Sequence, residues 1–428
     1  MIHSVPSKLY RALFRAKRCL RSTRGGDSSE NLWSATLVHT LCADGGHVSA
    51  GYYDLCPFDV SAQRLLVFRV NGELTRPAHG LLARIGYFVL SERSPTFVEL
   101  GTTAAWNWQQ GARQRWLPWR GRDTVIHNDY ADGRYCATVR AVPTGEILER
   151  IGLPLYDIHP DGLTGISVNF ARLHRLRPGY GYACIPDSSA ADQCPDDDGL
   201  WLVDLVSHSS VLLYSLEQLA SMSPHPSMPG ADHYLNHVRF SPSGRYALFF
   251  HLWVTTDGRR CVRAFVMRTD DASIVLLNNS GHVSHYTWLS DERLVLTSLV
   301  DDRHVRYLLY DPRDGFLGII GEDHLGEDGH PTFLGSGSVL LTDTYPDSEG
   351  YQHVLLYDGR SNRACRLCSY RFPGTYRGEL RCDLHPRPHC GANLFAVDVV
   401  RNGRRGVDVY KLCGPLDPVN ETDGKGSC

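Results

Sequence analysis

His237-Val-Arg-Phe240-Ser-Pro-Ser-Gly-Arg-Tyr-Ala-Leu-Phe-Phe250 holds a histidine, an aromatic residue three positions on, a tight turn and an apolar strand. Proline presets φ and glycine permits a positive φ, so Ser-Pro-Ser-Gly reverses the chain sharply. The same order returns in His285-Tyr-Thr-Trp288-Leu-Ser-Asp-Glu-Arg-Leu-Val-Leu-Thr297 and in His330-Pro-Thr-Phe333-Leu-Gly-Ser-Gly-Ser-Val-Leu-Leu-Thr342. In His385-Pro-Arg-Pro388-His-Cys-Gly-Ala-Asn-Leu-Phe-Ala-Val397, Pro388 takes the aromatic position. The histidines stand 48, 45 and 55 residues apart, the length of a four-stranded propeller blade.

Weaker copies extend the repeat upstream. Leu155-Tyr-Asp-Ile158-His-Pro-Asp-Gly162 keeps the turn without the leading histidine, and Trp106-Asn-Trp-Gln-Gln-Gly111 and Tyr53-Asp-Leu-Cys-Pro-Phe58 precede it at about one blade length each. The count predicts an all-β, seven-bladed β-propeller with inner strands beginning near 53, 105, 155, 237, 285, 330 and 385. Ring closure protects sheet edges, and the segments 33–41 and 407–412 are the strands expected to close it. The stretch 171–232 is longer than a blade needs and reads as loops inserted within blades three and four, with one helical piece over 216–222. The chain thus divides into a basic arm over 1–30, the propeller over 31–412 and a polar, Gly-rich tail over 413–428.

Composition narrows the function. Hydrophobic residues make up 42% and charged residues 21%, and the formal net charge is −3, so nothing global draws the chain to nucleic acid. No apolar run reaches the roughly 18 residues of a membrane-spanning helix. The first 26 residues carry Lys8, Arg11, Arg15, Lys17, Arg18, Arg21 and Arg24 and no acid. That arm reads as a mobile basic segment, an amphipathic helix on an anionic membrane surface, or a transit peptide. The 13 cysteines include one CxxC, Cys365 and Cys368, without a second pair at zinc spacing. Most are expected to be buried free thiols in a reducing compartment. The chain is expected to be a cytoplasmic monomer, with peripheral membrane contact through the arm. It contains no GxSxG elbow, P-loop or HExxH motif.

Three groups of residues bear chemistry. His237, His285, His330 and His385 occupy one place in the repeat, at the start of the inner strand. Pseudo-symmetry gathers such positions at one mouth of the channel. One histidine there is satisfied by the lining; four in register suit a first-row divalent metal, with Asp328 and Asp383 as ligands or as acceptors that set the imidazole tautomers. The second group is Phe170-Ala-Arg172-Leu-His174-Arg175-Leu-Arg177-Pro-Gly-Tyr180-Gly-Tyr182. Its arginines offer forks for carboxylates, or form ion pairs with Asp187, Asp192 and the acids at 196–198. The third comprises Asn107, Gln109 and Asn128, whose amides can read sugar hydroxyls. Asp129 and the segment Asp343-Thr-Tyr345-Pro-Asp347 read as turn chemistry.

The repeat resembles the Pro-x-Trp-Ser-Pro-Asp-Gly unit of TolB-like propellers and, with its histidines, the propeller polysaccharide lyases typified by oligogalacturonate lyase. The resemblance spans roughly residues 50–412. It implies a carbohydrate-active enzyme, a lyase that cleaves a uronate-containing glycan by metal- and histidine-assisted β-elimination. It implies His237 as base, His285, His330 and His385 as ligands of a divalent ion (Mn, Ca or Zn), Arg172 as the carboxylate clamp and Tyr182 as the acid. Asn107, Gln109, Asn128, His174 and Arg387 would then bind an acidic oligosaccharide or polysaccharide. The chain departs from that family in lacking its glutamine and closely spaced histidine ligand group. The alternative is a non-catalytic propeller that binds a glycan or a protein, at a membrane surface through its arm.

Overall fold

The computed structural model describes residues 32–415 except 302, 335, 336 and 390. The basic arm and the segment beyond 415 lie outside the described residues. Seven four-stranded antiparallel sheets follow one another in chain order. Their innermost strands are β1 (Gly46–Ser49), β2 (Arg115–Trp116), β3 (Asp157–Ile158), β4 (Asp232–Phe240), β5 (Val283–Ser290), β6 (Thr332–Leu334) and β7 (Arg387–Pro388). The chain is a seven-bladed propeller.

The repeat does what its residues require. In blade four Gly244 sits at φ +83 and its amide donates to Ser241 O at 2.9 Å. In blade three Gly162, at φ +73, donates to His159 O at the same distance. The aromatic before each turn packs on the preceding blade: Phe240 meets His159 edge-on at 5.1 Å, and Trp288 stacks on Tyr246 at 6.5 Å. After the turn, Tyr246–Val254 forms the second strand, buried on both faces over almost its whole length. Such a run reads as continuously apolar rather than alternating.

The ring closes with strands from both ends of the chain. Ser34–Leu41 is the outermost strand of blade seven and pairs antiparallel with Arg404–Cys413, from Ser34 opposite Cys413 to Leu41 opposite Val407. Blade seven is tied to blade one by Asp398, which accepts from Ser49 Oγ and from the Ala50 amide, each at 3.0 Å.

The first two inner strands begin elsewhere than expected. Blade one starts at Gly46, and the Tyr52–Cys56 segment follows its inner strand. Blade two starts at Arg115, and the preceding segment 104–113 is a loop held by reciprocal Asn107–Gly111 amide bonds. Both segments lack the histidine that marks register in the later blades. The long insertion supplies two helices, α1 (Phe170–Leu176) and α2 (Leu216–Ser221). The first falls where only loop was expected; Asn169 caps it by accepting the Arg172 amide. No helix among the described residues is long and apolar enough to cross a membrane. Of the ten described cysteines, only Cys136, Cys184, Cys261 and Cys382 are buried.

Candidate functional site

The four repeat histidines meet inside the channel. The ring centroids of His285 and His330 are 4.2 Å apart, those of His330 and His385 4.3 Å, and those of His237 and His285 6.3 Å. All four are at most 5% exposed. Their backbones explain the convergence. The ladder between β4 and its neighbour slips between Asn236 and Arg239, and that between β5 and its neighbour between Val283 and Tyr286. A bulge of this kind re-aims a side chain and leaves an amide unpaired. The unpaired amides are taken up by side chains. His237 N–H donates to Tyr156 Oη (2.9 Å), His285 N–H to Thr297 Oγ1 (2.8 Å), and the His330 and His385 amides to the two oxygens of Asp343 (2.8 and 2.9 Å).

Three imidazoles are held in defined tautomers. His330 Nδ1 donates to Asp343 Oδ1 at 2.8 Å, His285 Nδ1 to Asp328 Oδ1 at 3.0 Å, and His385 Nδ1 to the Gly51 carbonyl at 3.2 Å. A carbonyl and a carboxylate only accept, so each Nδ1 carries a proton, and in the neutral ring each Nε2 keeps its lone pair. The Nε2 atoms of His330 and His385 are buried without a hydrogen-bond partner among the described residues. His330, His385 and Asp383 can present ligand atoms that all lie within 4.8 Å of one another. Arg381 donates to both Asp383 oxygens at 2.7 Å.

Burial and charge set protonation. Burial holds His237 and His385 well below the ordinary imidazole range, and neighbouring imidazoles add to this. Burial also lowers His285, against the pull of Asp328. For His330 burial is outweighed by Asp343, and its pKa is raised. Burial pushes the partly buried Asp328 carboxyl up, yet His285, Ser284 and Thr297 hold it far below the usual range.

Tyrosines wall the cluster. Tyr52 stacks on His237 at 5.4 Å and meets His385 edge-on at 4.8 Å; Tyr53 lies 5.1 Å from His330. Tyr53 Oη donates to Tyr286 O at 2.8 Å and accepts the Tyr286 amide at 3.1 Å. On one side of this wall His237 and Asp328 line a cavity of about 320 Å³ with Arg177, Arg260, His282 and Ser284. The Arg177 guanidinium lies 4.5 Å over the Tyr180 ring, and its Nε is buried without a hydrogen-bond partner among the described residues.

Several expected site residues lie elsewhere. Arg172 is no rim clamp: it is 1% exposed and holds the insertion together through bonds to the carbonyls of His233, Ser189, Asp192 and Gln193. Tyr182 is fully buried, stacked on Phe170 at 4.4 Å, with its hydroxyl bound to Asn128. Asn128 also clasps the backbone of Leu155 through both its amide atoms. Asn107 caps its own loop and binds Gly181 O, and Gln109 donates to Arg381 O. His174, on α1, makes none of the ring contacts of the four histidines. Arg387 pairs with Asp398 at 3.0 Å and lines a different cavity. The reading missed Asp343 by assigning it to a turn. It also passed over Tyr52, Tyr53 and Arg177; Tyr53 figured only as a repeat position and Arg177 only within the basic cluster.

No protein-family model matches the chain, and no curated protein matches it in sequence. Solved structures match in fold. An oligogalacturonate lyase in complex with manganese superposes with a TM-score of 0.60 at 14% identity, covering 91% of this chain and 98% of its own. The oligogalacturonate lyase of Vibrio parahaemolyticus gives 0.59 at 12% identity, covering 89% and 96%. The β-propeller domain of the Trilobed protease from Pyrococcus furiosus gives 0.49 at 11%, covering 88% and 96%. At these identities the likeness is one of fold.

Proposed function

We propose that this propeller is a polysaccharide lyase that cleaves a uronate-containing oligosaccharide or polysaccharide with the aid of a divalent metal. The observation that carries the reading is the pair of buried, unpartnered Nε2 lone pairs on His330 and His385, with their Nδ1 protons fixed and the Asp383 carboxylate beside them. Two imidazoles and a carboxylate suit Mn or Zn; Ca takes oxygen ligands only. His285, held by Asp328, completes the set. The metal would offset the charge that develops on the uronate carboxylate as its α-proton leaves.

The residues of the chain supply the rest. His237 is neutral at pH 7 and lines the open cavity, so it can accept the proton. Arg177, with its unpaired Nε at that cavity, takes the carboxylate-neutralising role first given to Arg172. Tyr180, edge-on to His237 at 5.8 Å and beneath the Arg177 guanidinium, replaces Tyr182 as the candidate acid. The manganese in one structural neighbour accords with the donor set.

Metal analysis of the purified protein, joined to a 235-nm absorbance screen on uronate glycans, tests the reading. Metal with absorbance that vanishes in His237→Ala and Arg177→Lys supports it. The near-complete burial of His285, His330 and His385 favours a second reading, in which the metal braces the channel and the propeller only binds glycan or protein. Metal and glycan binding without absorbance at 235 nm would establish that instead.

A further inference from the structure

The channel has a second cavity beyond the tyrosine wall, at the C-terminal ends of the inner strands. Tyr53, Asp54, Arg115, Asp157, Arg239, Trp288, Thr332 and Arg387 belong to its lining. We propose that this cavity binds a small oxyanion, a ligand with at least two acceptor oxygens such as a carboxylate or a phosphate.

The donors and acceptors here do not balance. Arg387 is fully buried and its Nε has no hydrogen-bond partner among the described residues; the same holds for Trp288 Nε1 and Thr332 Oγ1. Leaving a buried donor unmade costs about 1–3 kcal/mol, more for a charged one, and here three such groups sit on residues around one space. The nearby carboxylates are already engaged. Asp54 receives both Nη atoms of Arg113 at 2.9 Å. Asp157 takes Arg115 at 2.7 Å and the Phe240 amide at 2.8 Å. Asp398 pairs with Arg387. Arg239 has no carboxylate partner among the described residues, and its charge bears on Arg115, whose pKa is lowered by burial and by that neighbour.

The cavity therefore presents surplus donors and one uncompensated guanidinium. Water brings as many donors as acceptors and cannot match that surplus; an oxyanion brings acceptors alone and a negative charge. The cavity, about 180 Å³, suits a compact group. Tyr53 stands between it and the histidines, since the ring touches His285 and His330 while also lining this space.

Calorimetric titration of the full chain with inorganic phosphate and, separately, acetate, against chloride at equal ionic strength, tests the proposal. The two arms distinguish a tetrahedral from a planar anion. At least one should bind. Arg239→Gln should weaken it by roughly tenfold or more, and Trp288→Phe by a smaller factor. Without anion, Arg239→Gln should melt no lower than the parent, because it relieves repulsion with Arg115. Should Arg239→Gln fail to fold, weakening in Trp288→Phe alone still supports the site. Absence of binding by both anions, or binding untouched by whichever variants fold, overturns it.

Discussion

Replacing Arg172 with lysine separates a structural arginine from a substrate clamp. The guanidinium donates from Nε to His233 O (2.6 Å), from Nη1 to Ser189 O (3.1 Å), and from Nη2 to Asp192 O (3.0 Å) and Gln193 O (2.8 Å), and Nη1 stands 3.5 Å from Asp187. These partners surround a flat fork. A single ammonium has three protons at one point and cannot reach carbonyls spread around that plane. At least two of the four carbonyls lose their donor. At roughly 1–3 kcal/mol for each buried group left unpaired, Arg172→Lys costs about 2–6 kcal/mol, a large share of the 5–15 kcal/mol typical of a folded protein. Urea unfolding followed by tryptophan fluorescence should show the midpoint falling accordingly. Metal content and any 235-nm activity, expressed per folded molecule, should stay near the parent. A midpoint unchanged within error, with loss of function, would refute the structural role and return Arg172 to the site.

Three further outcomes are expected. Asp343→Asn places a donor where two amides and an imidazole need acceptors, so Mn or Zn affinity should fall roughly 10–100-fold in a competition titration; unchanged affinity would make Asp343 a mere brace. Tyr53→Phe strips the Tyr286 carbonyl of its donor and the Tyr286 amide of its acceptor, and should lower stability by about 2–6 kcal/mol in a denaturant titration. Burial depresses His127 and His233 to about 4. The unfolded chain therefore binds protons between pH 6.5 and 4 that the folded chain refuses, and stability should fall as pH drops through that window. His127→Gln should flatten the decline in melting temperature across it, and an unaltered slope would dismiss His127 as a contributor.

The architecture was legible because the turn chemistry repeats. Ser-Pro-Ser-Gly and Pro-Asp-Gly announce reversals, and the step between histidines measures a blade. In blades one and two, which lack both the histidine and the Pro-Asp-Gly or Ser-Pro-Ser-Gly turn, register drifted by 7 and 10 residues, to Gly46 and Arg115. The convergence of His237, His285, His330 and His385 follows from the same periodicity. Asp343 was hidden because an aspartate two residues before Tyr345-Pro346 looks like a turn residue locally. Its role depends on His385, in the next blade. Arg172 lies in a short helix and Arg177 is its C-cap, five positions on. Nothing in their spacing tells which one faces the insertion and which the cavity.

The histidine amides show how this fold is bent toward a site. An inner strand in a regular ladder would pair these groups with its neighbour. Here all four amides bond to side chains instead, from Tyr156, Thr297 and Asp343. Two of the histidines also adopt the left-handed backbone, His237 at φ +54 and His385 at φ +46, which costs a non-glycine residue roughly 1–2 kcal/mol. Glycine would remove that cost, and an ordinary ladder would need none of the three side chains. The arrangement thus gives up backbone stability at two positions and engages buried polar groups at four. What it gains is direction: imidazoles from four successive blades turned onto one point of the channel, where sevenfold geometry alone would only have placed them on a ring. Strain of this kind persists where the surroundings over-determine it. In blades six and seven one group does both jobs, since Asp343 holds the His330 amide, its Nδ1 and the His385 amide together. The turned backbone of His385 and the fixed tautomer of His330 are therefore held by one carboxylate.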